Sequence, residues 1–149
     1  MIKAIKLLTF GIVLMCLHSS IAFSQPGSNW QPIFLTVTGH NMIEGVEAFF
    51  QAGKCEKGES VVFIKFINHN AQSVQLEWYD GVFTQELNWI NKEGDDNKKS
   101  LIISGNKEAN GHCSSLEKDL VIKLSDFIKD PNNFKRYAAS YLQVTLIQN

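Results

Sequence analysis

The chain has 149 residues, 44% of them hydrophobic, with 14 Lys plus Arg against 15 Asp plus Glu and a formal net charge of −1. That composition fits one ordinary globular domain after any processed segment is removed. With 10 Gly and 3 Pro it excludes collagen-like repeats and low-complexity disorder, and it lacks the basic excess of a general nucleic-acid binder.

In chain order, the first element is a targeting segment. Lys3 and Lys6 precede a mostly apolar stretch over residues 7–17, and Ala22-Phe23-Ser24 places small residues three and one positions before a cut at Gln25. Residues 1–24 therefore read as a secretory signal peptide and 25–149 as a single domain. The apolar stretch is interrupted by Gly11 and followed by His18-Ser19-Ser20. It falls short of the roughly 18 apolar residues that span a bilayer, so no stable membrane insertion is expected once the signal is removed. Cys16 lies inside that stretch behind bulky Met15, where a lipid-attachment site would carry a small residue. Loss of Lys3 and Lys6 leaves 12 basic against 15 acidic residues, a net charge of −3 over 125 residues. A mildly acidic domain of that length is soluble and large enough to bury its own core. The expected location is the periplasm or the extracellular space.

Beyond the signal, apolar residues recur with period two and almost nowhere with a helical period. Ile33, Leu35 and Val37 alternate with Phe34, Thr36 and Thr38 as a first strand, ended by Gly39-His40-Asn41. Residues 46–51 form a second strand, closed by Ala52-Gly53, and a turn over 55–59 leads into the nearly continuous apolar run 61–67, which reads as a central strand. After a polar turn at 68–71, Val74, Leu76 and Trp78 alternate with Gln75, Glu77 and Tyr79, placing Trp78 inward and Tyr79 outward. Asp80-Gly81 reads as a hairpin turn, with residues 82–84 returning.

A short strand at 87–90, a charged loop at 91–99 and a strand at 101–104 follow, then a long polar stretch over 105–115. Leu120, Ile122 and Leu124 resume the alternation. Asp130-Pro131 has the form of an N-cap followed by Pro at the first helical position, which predicts one short helix near residues 132–139. The final strand is expected at 141–147, with Leu142, Val144 and Leu146 on one face.

About eight short strands without βαβ alternation predict an all-β, antiparallel two-sheet sandwich, immunoglobulin-like or related. In an exported chain Cys55 and Cys113 most economically form one disulfide between two loops. Their separation of 58 positions gives roughly 4 kcal/mol in the chain-entropy picture. The order Cys55, Trp78, Cys113 resembles that of immunoglobulin domains, although there both cysteines lie on strands and the interval to the tryptophan is shorter than the 23 positions here. The domain is also similar to small secreted bacterial β-sandwich proteins, a resemblance that implies fold and carries no functional motif.

No GxSxG, HExxH or comparable signature is present, so the chain is not expected to be an enzyme. His40, His69 and His112 all fall in turns, and each reads as a solvated loop residue unless the three converge on a metal. Adjacent His112 and Cys113 lack the CxxC or HxxxH partners of a zinc site. Glu93, Asp95, Asp96 and Asn97 offer oxygens, but the EF-hand spacing is missing and Lys92, Lys98 and Lys99 surround them. No metal or cofactor is expected. Trp30, Tyr79, Phe83 and Trp89 lie at strand ends or on outward faces, and such rings stack on sugars or anchor a protein partner. They are the candidate ligand-binding residues. The expected function is an exported interaction or structural module that binds a protein partner through loops or an exposed strand edge, with the final strand as the candidate edge. The alternative is a carbohydrate-binding module using those four aromatic residues.

Overall fold

The computed structural model describes residues 29–35, 38–114 and 118–148. The signal segment, Cys16 and Val37 lie outside them. Ten strands occur: β1 (Gln31–Pro32), β2 (Met42–Ile43), β3 (Val46–Lys54), β4 (Ser60–Asn68), β5 (Val74–Thr84), β6 (Trp89–Asn91), β7 (Lys99–Ile103), β8 (Glu108–Asn110), β9 (Val121–Lys123) and β10 (Phe134–Leu146). No α-helix is present among the described residues.

All pairing is antiparallel and divides into two sheets. One is built on the β3–β4 hairpin: β1 and β2 pair with the outer side of β3, and β8 and β9 pair with two stretches of β4. The nearly continuous apolar run of β4 fits its central place. The other sheet is built on β5, with β10 along one side and both β6 and β7 along the other. The two extra strands relative to the sequence reading come from ladders only two or three residues long.

The alternating faces of both sheets meet in one core. Trp78 of β5 is fully buried and packs edge-on against Phe66 of β4, with ring centroids 5.1 Å apart. Phe50 of β3 meets Phe134 and Tyr137 of β10 at 6.1 and 6.4 Å. Burying each such side chain contributes roughly 1.5–3 kcal/mol, which is why the strands pair in this register and no other. Tyr79, one position on, faces outward as the alternation predicts.

Five local expectations are corrected. Asp80-Gly81 is not a hairpin turn: both residues lie inside the continuous 11-residue strand β5. Tertiary partners override the turn preference. The buried Asp80 carboxylate accepts from Trp78 Nε1 at 3.2 Å and Tyr137 Oη at 2.6 Å, and pairs with Lys99 Nζ at 2.9 Å. The helix expected at 132–139 is only a 3-10 turn, Pro131–Asn133. Its N-cap does form, since Asp130 Oδ1 accepts from the Asn132 backbone N–H. From Phe134 onward, however, pairing with β5 and burial of Tyr137 and Ala139 favour a strand. The last strand therefore starts at Phe134, not at 141. The first strand is Gln31–Pro32, ahead of the stretch expected to begin at Ile33, which is fully buried but outside any strand, and Leu87 belongs to a turn with φ 66° that precedes β6.

Cys55 and Cys113 are bonded, with Cα atoms 5.4 Å apart. The bridge joins the turn after β3 to the segment between β8 and β9, and neither cysteine lies on a strand. Trp78 is thus not packed against a bridge between strands, as it would be in the immunoglobulin pattern. Asn68, fully buried at the end of β4, donates from Nδ2 to the Gln72, Ile103 and Ser104 carbonyls and so ties the two sheets together.

Candidate functional site

The outward face of the β5 sheet carries a row of three flat groups, one from each of three adjacent strands. Arg136 of β10 lies opposite Phe83 of β5, and Phe83 lies opposite Trp89 of β6. The Arg136 guanidinium sits 4.3 Å over the Phe83 ring, and Phe83 and Trp89 are 4.7 Å apart with planes tilted by 40°. Stacking of this kind holds a guanidinium flat while leaving its N–H edge available. The next row is small: Ala138 opposite Gly81. Here the glycine is required, because a Cβ on it would lie 1.9 Å from Trp89 Cη2. The Trp89 ring leans over the gap.

A bulge in β10 sets the far end of the face. Register shifts between Ser140 and Gln143, and Tyr141 takes φ 53° within the strand. Bulges of this kind re-aim a side chain. Tyr141 projects outward, meets Tyr79 edge-on at 6.2 Å and is 68% exposed.

These groups border a groove of about 570 Å³ between β10 and the N-terminal segment, which supplies Pro32, Phe34, Leu35 and Gly39. Phe34 is 51% exposed and Trp89 38%. On the β10 side every residue from 136 to 141 lines the groove, including inward-facing Tyr137 and Ala139 as well as outward-facing Ala138 and Ser140. A cavity on one face of a strand is lined by alternate residues. One lined by six in succession reaches round the strand's edge, where backbone N–H and C=O groups point, as well as over the outward face that carries Phe83 and Trp89. The described residues place β5 along one side of β10 and no strand along the other.

The four aromatic residues expected to bind a ligand are divided. Phe83 and Trp89 line the groove, and Tyr79 touches it through Tyr141. Trp30 stands apart, with Lys65 Nζ of the other sheet 4.9 Å from its ring and 5.2 Å from that of Phe49. The sequence reading missed Phe34, Arg136 and Tyr141. A compositional signal for one of them exists: Arg136 is the single arginine in a chain with 13 lysines.

Elsewhere several charges are paired. A cleft of about 300 Å³ holds Lys99, Lys123, Asp80 and Asp119. Lys99 pairs with Asp80 and reaches Asp119 at 3.8 Å, while Lys123 pairs with Glu59 at 2.8 Å. His69 Nε2 meets Glu47 Oε2 at 3.2 Å, and His112 Nδ1 meets Ser114 Oγ at 3.1 Å. Among the described residues no group of three or more His, Cys, Asp or Glu side chains is placed to hold a metal ion. No helix among them is long and apolar enough to cross a membrane. No family model matches the chain, and comparison with curated proteins and with solved structures returns no match.

Proposed function

We propose that the chain is an exported interaction module, secreted or periplasmic, that takes an extended segment of a protein partner along the edge of β10 that no described strand pairs. The observation that carries this reading is the groove lined by residues 136–141 in unbroken succession. An added strand would satisfy the edge N–H and C=O groups, and its alternating side chains would meet the two walls of the groove. The role is binding, with no catalytic step. A disulfide is at home in an oxidising compartment and supports the exported location.

The second reading, a carbohydrate platform, draws on exposed Trp89 and Phe83. It is less well supported, because Tyr79 and Tyr141 stand at 90° to each other and offer no continuous stacking plane. Hydrogen exchange separates the two. Peptides selected from a random displayed library are expected to protect alternate amides of β10 and to lose binding when methylated at alternate backbone nitrogens. Ligands that bind through Trp89 while leaving the β10 amides unprotected would replace the edge reading with the platform.

A further inference from the structure

Of the residues lining the groove only Arg136 carries a charge, and none is acidic. Arg136 is half-buried, holds its guanidinium carbon 4.3 Å from the Phe83 ring centroid and has no carboxylate partner among the described residues. Lysine serves at every other cationic position of the chain. The two side chains differ in what they offer: arginine stacks on a ring and presents a planar pair of donors that matches a carboxylate, whereas lysine is a hydrated point charge. Two positions along the same face, Ala138 and then Ser140 are small, with Trp89 on one side and the outward-turned Tyr141 beyond.

Resting on the edge reading above, we infer that the partner segment is acidic, with a Glu or Asp opposite Arg136 and a bulky apolar residue two positions away, opposite Ala138. In an added strand, residues two apart share a face. The carboxylate then meets the guanidinium edge-on while the apolar side chain fills the low row between Trp89 and Tyr141. Self-pairing of two β10 strands does not meet this requirement, since that strand contains no Asp or Glu to set opposite Arg136.

The test uses the disulfide-bonded protein and a strand-forming peptide selected as above, remade with Glu, Gln or Lys at the position opposite Arg136. Titration calorimetry reads the affinities, for the unaltered protein and for Arg136→Gln and Arg136→Lys. The Glu peptide is expected to bind at least about tenfold more tightly than the Gln peptide. That preference should fall to near one in Arg136→Gln and recover only in part in Arg136→Lys, while the Gln peptide binds all three proteins alike. Equal binding of Glu and Gln peptides, with β10 amides still protected, overturns the acidic partner and leaves the edge reading intact. Failure of every peptide to protect those amides overturns both. An oligogalacturonate that binds through Arg136 without protecting β10, or a concentration-dependent dimer that buries β10, overturns the peptide in favour of an acidic sugar or a self-association edge.

Discussion

Asp80 and Tyr137, 57 positions apart in sequence, share a buried hydrogen bond of 2.6 Å that locks β5 to β10. The same carboxylate oxygen accepts from Trp78 Nε1, and the other oxygen pairs with Lys99. Removing the carboxylate leaves an indole N–H and a phenol without their acceptor and takes from Lys99 its nearest carboxylate, the ammonium keeping the Asp119 carbonyl at 3.0 Å. Asp80→Ala is expected to cost about 3–5 kcal/mol, and Tyr137→Phe about 1–3 kcal/mol. Urea denaturation of the single and double variants checks this, and the double variant should lose less than the sum. An Asp80→Ala loss below about 1 kcal/mol would show that the network does not hold β5, β7 and β10 together.

Alkali should expose the same contact. Burial, and then the neighbouring Asp80 charge and hydrogen bond, push the Tyr137 phenol well above its ordinary range. The unfolded phenol gives up its proton near pH 10 while the folded one keeps it. Above that pH the unfolded state binds fewer protons, so stability falls as pH rises and is fully present below it. Tyr137→Phe should flatten the alkaline slope of stability against pH, measured by denaturation between pH 8 and about 11. An unchanged slope would remove Tyr137 as its source.

The Cys55–Cys113 bridge closes a loop of 58 positions. Reduction, or the double change to serine, is expected to lower stability by roughly 4 kcal/mol in the chain-entropy picture. Mass spectrometry of the unreduced protein should find no free thiol at either position. Intact bonding with a loss under about 1 kcal/mol would place the stabilising role in the packed sheets and not in the bridge.

Gly81 supports the groove by what it lacks. In Gly81→Ala the new methyl group takes the space of the Trp89 ring tip, so the ring must lift from the sheet. The expected loss is about 1–3 kcal/mol, with a shift in tryptophan fluorescence and weaker peptide binding. Adding Trp89→Ala should make Gly81→Ala nearly harmless in stability. If the alanine still costs as much in that background, the strain lies in the backbone of β5.

Most of the core was legible in the sequence because period-two alternation reports which face is buried: Val74, Leu76 and Trp78 are all inside. The cysteine pair was legible from compartment and count. Local turn chemistry misled at Asp80-Gly81 and at 132–139, since the deciding contacts come from Tyr137, Lys99 and the β5 ladder, far away in sequence. The groove was half legible. Alternation exposed Phe83, but nothing local says that β10 bulges at Tyr141 or that Pro32, Phe34, Leu35 and Gly39 face it across the groove. Arg136 needed only to be noticed as the one arginine.

The exposed turn at 85–88 and the loop at 93–98 both fall between Cys55 and Cys113 in sequence. A protease that cuts either one opens the backbone without releasing a fragment, because each new end remains attached through the bridge. β10 lies outside that covalent ring, so its place depends on the ladder to β5 and on noncovalent packing, the Tyr137 and Phe134 contacts included. A cut between Cys113 and β10 would therefore free one wall of the groove, while Phe83 and Trp89 of the same groove stay within the disulfide-closed loop.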